Sequence, residues 1–156
     1  MSVAAAPTFD VSSVEDSSAF VRAAGLALDE VTGTRVTGHI VLGSEHHTPW
    51  GIVHGGVYAT AIETAASVGA SIAVRDRGQV AVGITNTTHF LRSLSAGLVH
   101  VEATALNQGR SQQLWRVDIT DEAKRLVAHG ELRVQNINPG RPQPTKAVTA
   151  DTSVER

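Results

Sequence analysis

Apolar residues recur along this chain in two rhythms, and the change from one to the other marks out its elements. From about Gly55 to Val74 almost every position is small or apolar, alanine falls on every side, and there is no proline. This run predicts one long helix, and a helix that is apolar all round is a buried one. Asp76-Arg77-Gly78 ends it. On either side the period is two. LALDEVT, a turn at Gly33 and TRVTGHIVLG read as two strands over 26–43, the second alternating through Val36, His39/Ile40 and Leu42. After the helix come four more strand-like runs, 79–93, 98–109, 111–120 and 124–136, joined by turns at Ser95-Ala96-Gly97, Gln108-Gly109-Arg110 and Asp121-Glu122-Ala123. Short loops between long strands predict an antiparallel meander.

The remaining segments are simpler. Val14 to Leu26 predicts a short helix capped by Ser12 or Ser13, with Phe20, Val21 and Ala24 on one face. SEHHTPWG is a loop, broken by Pro49 and Gly51. Residues 1–13 are small and polar and read as a flexible N-terminus. Residues 138–156 are polar and proline-containing, and read as a disordered tail. One domain over 14–137 remains. Its order is α+β: one long helix, then antiparallel strands that wrap it.

Composition narrows the function. The formal charge of −2 and the lack of a long basic run argue against nucleic acid as a partner. With no cysteine, disulfides, thiolate catalysis and zinc–thiolate sites are excluded. Glu63 interrupts the best candidate for a membrane span, and MSVAAAPTFDVSS has no signal-peptide pattern. A soluble cytoplasmic protein is the expectation.

The chemistry concentrates on the long helix. Glu63 is the only charged residue between His54 and Arg75. A carboxylate buried in apolar surroundings is costly unless it is paired or put to use. Gly55 and Gly56 stand at the helix start, where free backbone N–H groups can meet an oxyanion. Together they suggest acyl transfer. The alternatives are a structural carboxylate satisfied by Thr60, Ser67 or a neighbouring subunit, and glycines used only for close packing. Eight helical steps separate Gly55 from Glu63, about 12 Å along the axis. A reacting carbonyl must lie about 3 Å from both its oxyanion donor and its attacking group. Two chains must then share each site, as in a symmetric dimer.

Other residues take supporting parts. His54 is expected to orient the loop by a side-chain hydrogen bond, with a general-base role as the alternative. His46 and His47 are expected to be exposed, and no metal site is expected. Trp50 is expected to pack over the helix start or to wall the substrate. Ser67, one turn beyond Glu63, either bonds the carboxylate or a water, or bonds its own backbone. Arg92 and Arg110 flank strand ends and would clamp a phosphate-bearing ligand, with Ser111 and Gln112 as further donors.

TPWGIVHGGVYATAIETAAS resembles the central-helix motif of hotdog-fold thioesterases, in particular the PaaI-like and Arthrobacter-type 4-hydroxybenzoyl-CoA thioesterase group. The run from Val82 to Asn136 is similar to the rest of that domain, and the resemblance covers residues 25–137. It implies a hotdog fold, a long central helix wrapped by a curved antiparallel sheet of five or six strands. It also implies dimers with sites at the interface, commonly paired into tetramers. Glu63 would be nucleophile or general base, the Gly55 N–H would polarise the thioester carbonyl, and Ser67 would follow the acid by one turn. Thr48 stands where relatives carry Asn or Gln. The coenzyme A (CoA) turn maps onto Gly109, Arg110, Ser111 and Gln112. Gly56, Trp50, Tyr58 and Asn86 join the substrate-binding set, with Val57, Tyr58 and Ile62 lining an acyl channel. No cofactor is implied, since CoA belongs to the substrate. The expected activity is acyl-CoA hydrolysis. The alternative is an acyl-CoA-binding protein without turnover. A hydratase would need an Asp-His pair that is not found.

Overall fold

A computed structural model describes Val14 and residues 18–140. The expected caps Ser12 and Ser13, the N-terminal segment 1–13 and most of the tail lie outside the described residues. Helix α1 is Ala19–Ala24, capped by the Ser18 hydroxyl, which accepts from the Val21 N–H at 3.2 Å. It is shorter than the predicted helix and starts later. Ala24 is buried, but Phe20 is 70% exposed, so the expected apolar face does not form.

Strands β1 (Ala27–Val31) and β2 (Arg35–Leu42) follow, then α2 (Gly55–Val74), β3 (Val80–Phe90), β4 (Gly97–Gln108), β5 (Gln112–Asp121) and β6 (Leu126–Ile137). They form one six-stranded antiparallel sheet in the order β1-β2-β4-β5-β6-β3. α2 lies across it as the core helix, although its length and composition alone would suit a membrane span. It stops where a tight turn over Arg75–Arg77 ends in Gly78, whose φ of 67° is left-handed.

The expected meander fails at one connection. β3 pairs with β6, not with β4, so residues 91–96 carry the chain past two strands. Six residues reach at most about 20 Å, while three strand spacings come to about 14 Å. The link is therefore feasible, and curvature of the sheet shortens it further. Leu91 and Arg92 donate their N–H groups to the Val127 carbonyl, and Leu94 accepts from Val53 N–H. β3 is thus an edge strand, with Val82 and Ile84 about half exposed.

Small residues set the distance between helix and sheet. Ala61, Ala65, Ala66 and Ala70 are buried on α2, against Val36 and Ile40 of β2, Val99 and Val101 of β4, and Trp115 and Val117 of β5. Gly69 has no side chain because Trp115 fills its place: an added Cβ would lie 2.5 Å from Trp115 Cη2 and 2.8 Å from Val36 Cγ2. Beside it, Gln113 is buried and fully bonded. Its Nε2 donates to Ala70 O and Asn136 Oδ1, and its Oε1 accepts from Trp115 Nε1 and Gln108 Nε2. Asn136 Nδ2 in turn donates to the Gly109 and Arg110 carbonyls, which ties the β4–β5 turn to the end of the helix.

Candidate active site

The start of α2 is shaped by His54. Its Nδ1 accepts from the Gly56 N–H at 2.8 Å, and its carbonyl accepts from Val57 N–H. An acceptor at Nδ1 places the ring proton of the neutral imidazole on Nε2. Gly56 N–H is spent on this cap. Gly55 N–H has no acceptor among the described residues and stands at the positive end of a 20-residue helix. A Cβ on Gly55 would come within 2.8 Å of the Phe90 ring, so only glycine leaves this N–H reachable beside that ring.

A cleft of about 580 Å³ opens at this helix start. Thr48, Trp50, His54, Gly55, Gly56, Tyr58, Phe90 and Arg92 are among its lining residues. Trp50 is 82% exposed at the rim and does not pack over the helix. The Thr48 hydroxyl accepts from Trp50 N–H within its own turn. His47 Nε2 bonds the Ser95 carbonyl at 2.6 Å. His46, expected to be exposed, is buried and accepts from Gly43 N–H through Nδ1. Tyr58 is buried, its hydroxyl has no partner among the described residues, and burial raises its pKa, so the phenol stays neutral. Ile62, expected in an acyl channel, is fully buried within the chain against Gly130 of the sheet.

Glu63 lies two turns further along α2, half-buried on the flank that faces β3. Its partner is neither Thr60 nor Ser67. Asn86 Nδ2 donates to Glu63 Oε2 at 3.0 Å and to the Ala59 carbonyl at 3.1 Å. Asn86 therefore spends its donors on α2 and has none left for a substrate. Thr88 Oγ1 bonds Asn86 Oδ1 at 2.7 Å. Gly83 sits directly over the carboxylate; an added Cβ there would collide with Glu63 Oε1.

β3 delivers these contacts because it runs antiparallel to α2. Gly83 meets Glu63, Asn86 meets Ala59 and Glu63, and Phe90 meets Gly55. Strict alternation from Gly83 would turn Thr85 toward the helix. The pairing with β6 slips between Gly83 and Thr85, leaving Ile84 as an extra residue, and so Asn86 takes that face. Gly83, Thr88 and Phe90 escaped the reading of the sequence for this reason: alternation is the only local signal, and the bulge breaks it.

Arg92 and Arg110 do not form one clamp within a chain. Arg92 rims the cleft at the start of α2. Arg110 lies by the helix's far end, in a second cleft with Arg77 and Gly109, and its carbonyl accepts from Arg77 Nη1 at 3.3 Å. Gln112 bonds Gln135, and the Ser111 carbonyl accepts from Asn136 N–H.

The profile of the thioesterase superfamily matches residues 51–128, half of the chain, from the loop before α2 to the inner strand β6. The chain belongs to the thioesterase superfamily. Among relatives of this thioesterase-superfamily chain, Rv1847 of Mycobacterium tuberculosis is 47% identical over 89 residues, which cover 56% of this chain and 64% of that protein. A solved structure of Rv1847 superposes with a TM-score of 0.74 at 39% identity, covering 79% of this chain and 98% of that one. A 1,4-dihydroxy-2-naphthoyl-CoA thioesterase of Arabidopsis thaliana is 37% identical over 111 residues, 70% of this chain and 69% of the relative. The solved thioesterase HI1161 of Haemophilus influenzae gives a TM-score of 0.75 at 26% identity, over 87% and 96% of the two chains. With these neighbours and one long helix on a six-stranded antiparallel sheet, the fold is the hotdog fold.

Proposed function

We propose that this protein is an acyl-CoA thioesterase whose sites are shared between two chains. The observation that carries the reading is the pair of groups on α2. A carboxylate is held by Asn86, an unspent N–H stands at Gly55, and the two lie too far apart to act within one chain. Relatives named as CoA thioesterases support the substrate class. The edge strand β3 supports the assembly, since its outer side is unpaired and carries exposed Val82 and Ile84. Two such edges joined antiparallel would bring the helix start of one chain toward Glu63 of the other. Pairing of two dimers would give the tetramer.

In this mechanism the Gly55 N–H, aided by the helix dipole, holds the oxyanion that develops on the thioester carbonyl. Glu63 of the partner chain takes a proton from water, which adds to the carbonyl carbon. The tetrahedral intermediate expels the CoA thiolate, and the proton held by Glu63 returns to sulfur. Alternatively the carboxylate itself attacks the carbonyl carbon and the CoA thiolate leaves, giving a mixed anhydride that water then cleaves. Ser67, one turn along, would place the carboxylate or the water. Arg92 of one chain and Arg110 of another would meet the CoA phosphates from two sides, with Ser111 and Gln112 beside them.

The test is thiol release from a panel of acyl-CoA esters. Wild type should release thiol, and Glu63→Ala should lose release while keeping its melting temperature. Equal turnover in the variant would sink the mechanism. A second reading has its own observation: the Thr48 hydroxyl is engaged in its turn, at the position where the family resemblance implies an amide. Tight CoA-ester binding with no thiol release would establish a binding protein instead.

A further inference from the structure

We infer that Asn86 is a positioning residue that selects which oxygen of Glu63 reacts, and that Thr88 sets its orientation. The inference deepens the thioesterase reading: the selection of a reacting oxygen rests on it, and the Thr88–Asn86–Glu63 arrangement does not.

Both partners of Asn86 Nδ2 are groups that only accept: the Ala59 carbonyl at 3.1 Å and the Glu63 carboxylate at 3.0 Å. The amide nitrogen must therefore face α2, and Oδ1 must face away. Thr88 Oγ1 lies 2.7 Å from that Oδ1, and with an acceptor before it the hydroxyl has to donate. Each hydrogen bond in the row thus fixes the direction of the next. A flipped amide would set Oδ1 against both a carbonyl and a carboxylate oxygen.

The consequence falls on the carboxylate. Oε2 is tied to the amide. Oε1 lies over Gly83, whose missing side chain leaves the room it occupies, and it has no hydrogen-bond partner among the described residues. Oε1 is then the oxygen that takes the proton or attacks, while Oε2 fixes the plane of the group. Backbone geometry supplies the arrangement: the extra residue Ile84 brings Gly83 and Asn86, three positions apart, onto the same side of β3.

Asn86→Leu, Thr88→Val and Thr88→Ser separate positioning from packing. Misplacement by about 1 Å can cost on the order of 100-fold in rate, so Asn86→Leu should lower kcat about 10- to 100-fold with KM little changed. Thr88→Val keeps the shape and removes the donor; it should lower kcat less, and Thr88→Ser should restore it. The second arm needs no substrate. In a ¹⁵N-resolved NMR spectrum of the whole protein, the Asn86 side-chain NH₂ pair should be shifted from the solvated position. It should move toward that position in Glu63→Ala and Thr88→Val and stay in place in Thr88→Ser. If wild type releases no thiol while the amide signals behave this way, the thioesterase reading fails and the Thr88–Asn86–Glu63 arrangement stands. If Thr88→Val and Thr88→Ser behave alike in both arms, or Asn86→Leu turns over normally, the inference is overturned.

Discussion

Replacing Gly69 by alanine tests how closely α2 sits on its sheet. Two effects oppose one another. In the middle of a helix the change from glycine to alanine favours folding by about 0.8–1 kcal/mol. Against it stands the space: the new methyl would lie 2.5 and 2.9 Å from Trp115 Cη2 and Cζ3 and 2.8 Å from Val36 Cγ2. Carbon atoms prefer about 3.5–4.0 Å, so the surroundings must give by roughly 1 Å. They are poorly placed to do so. Trp115 is fully buried, its Nε1 is tied to Gln113 Oε1 at 3.0 Å, and Gln113 is itself held by Ala70 and Asn136. Overpacking of a tight core costs about 1–3 kcal/mol, and more where the neighbours are pinned. The steric term wins, with a net loss of about 1–2 kcal/mol. For a domain of this size that lowers Tm by about 2–8 °C. Differential scanning calorimetry of Gly69→Ala gives the answer directly, and Val36→Ala alone and in combination completes a cycle. The double variant should lose less than the sum of the two singles, because Val36→Ala opens one side of the methyl's site. A Tm equal to or above wild type for Gly69→Ala would refute the contact, and additivity in the cycle would refute its cause.

Two further outcomes are expected from the β5–β6 turn. Lys124 has a φ of 59°, in the left-handed region, so Lys124→Gly should raise stability by about 1 kcal/mol in urea denaturation; a loss would mean that the lysine side chain matters there. The Asp121 carboxylate accepts from the Arg125 N–H at 2.9 Å and from its guanidinium at 2.8 Å, and the backbone bond first, then the side chain, holds its pKa below the usual value. A lowered folded-state pKa gives stability that is present above the unfolded pKa and is lost as pH falls through the folded one. Wild type should therefore exceed Asp121→Asn in urea melts at pH 7, and the gap should close on acidification below the ordinary carboxylate range. A gap that is constant with pH would remove the charge from the explanation.

Much of the fold was legible because the patterns that specify it are local. The run from Gly55 to Val74 is apolar on every side, which is the pattern of a core helix, and burial alternates along β5, along β4 as far as Ala105 and along β6 from Ala128. Strand order was not legible, since nothing within β3 states that its neighbour is β6 and not β4. His46 was misread because a histidine in a polar loop looks solvated, until Gly43 N–H is found to bond it. Phe20 was misread in the opposite sense, because helix α1 proved too short to make a face. On the long helix, Gly55 and Glu63 stood out by contrast with their neighbours. Asn86 could be singled out in the sequence but was given to the substrate, because its true partner depends on the slip at Ile84.

That slip gives β3 something like a reading frame. Before Ile84 the odd positions 81 and 83 count toward the helix; after it the even positions 86, 88 and 90 do. Ile84 is the one place where the count is free: a strand without it would still present Gly83 and Asn86 to α2. One residue lost at Thr87 would turn both Thr88 and Phe90 away. Along this strand the number of residues carries as much information as their identity, and the tolerance for a change in that number is confined to a single joint.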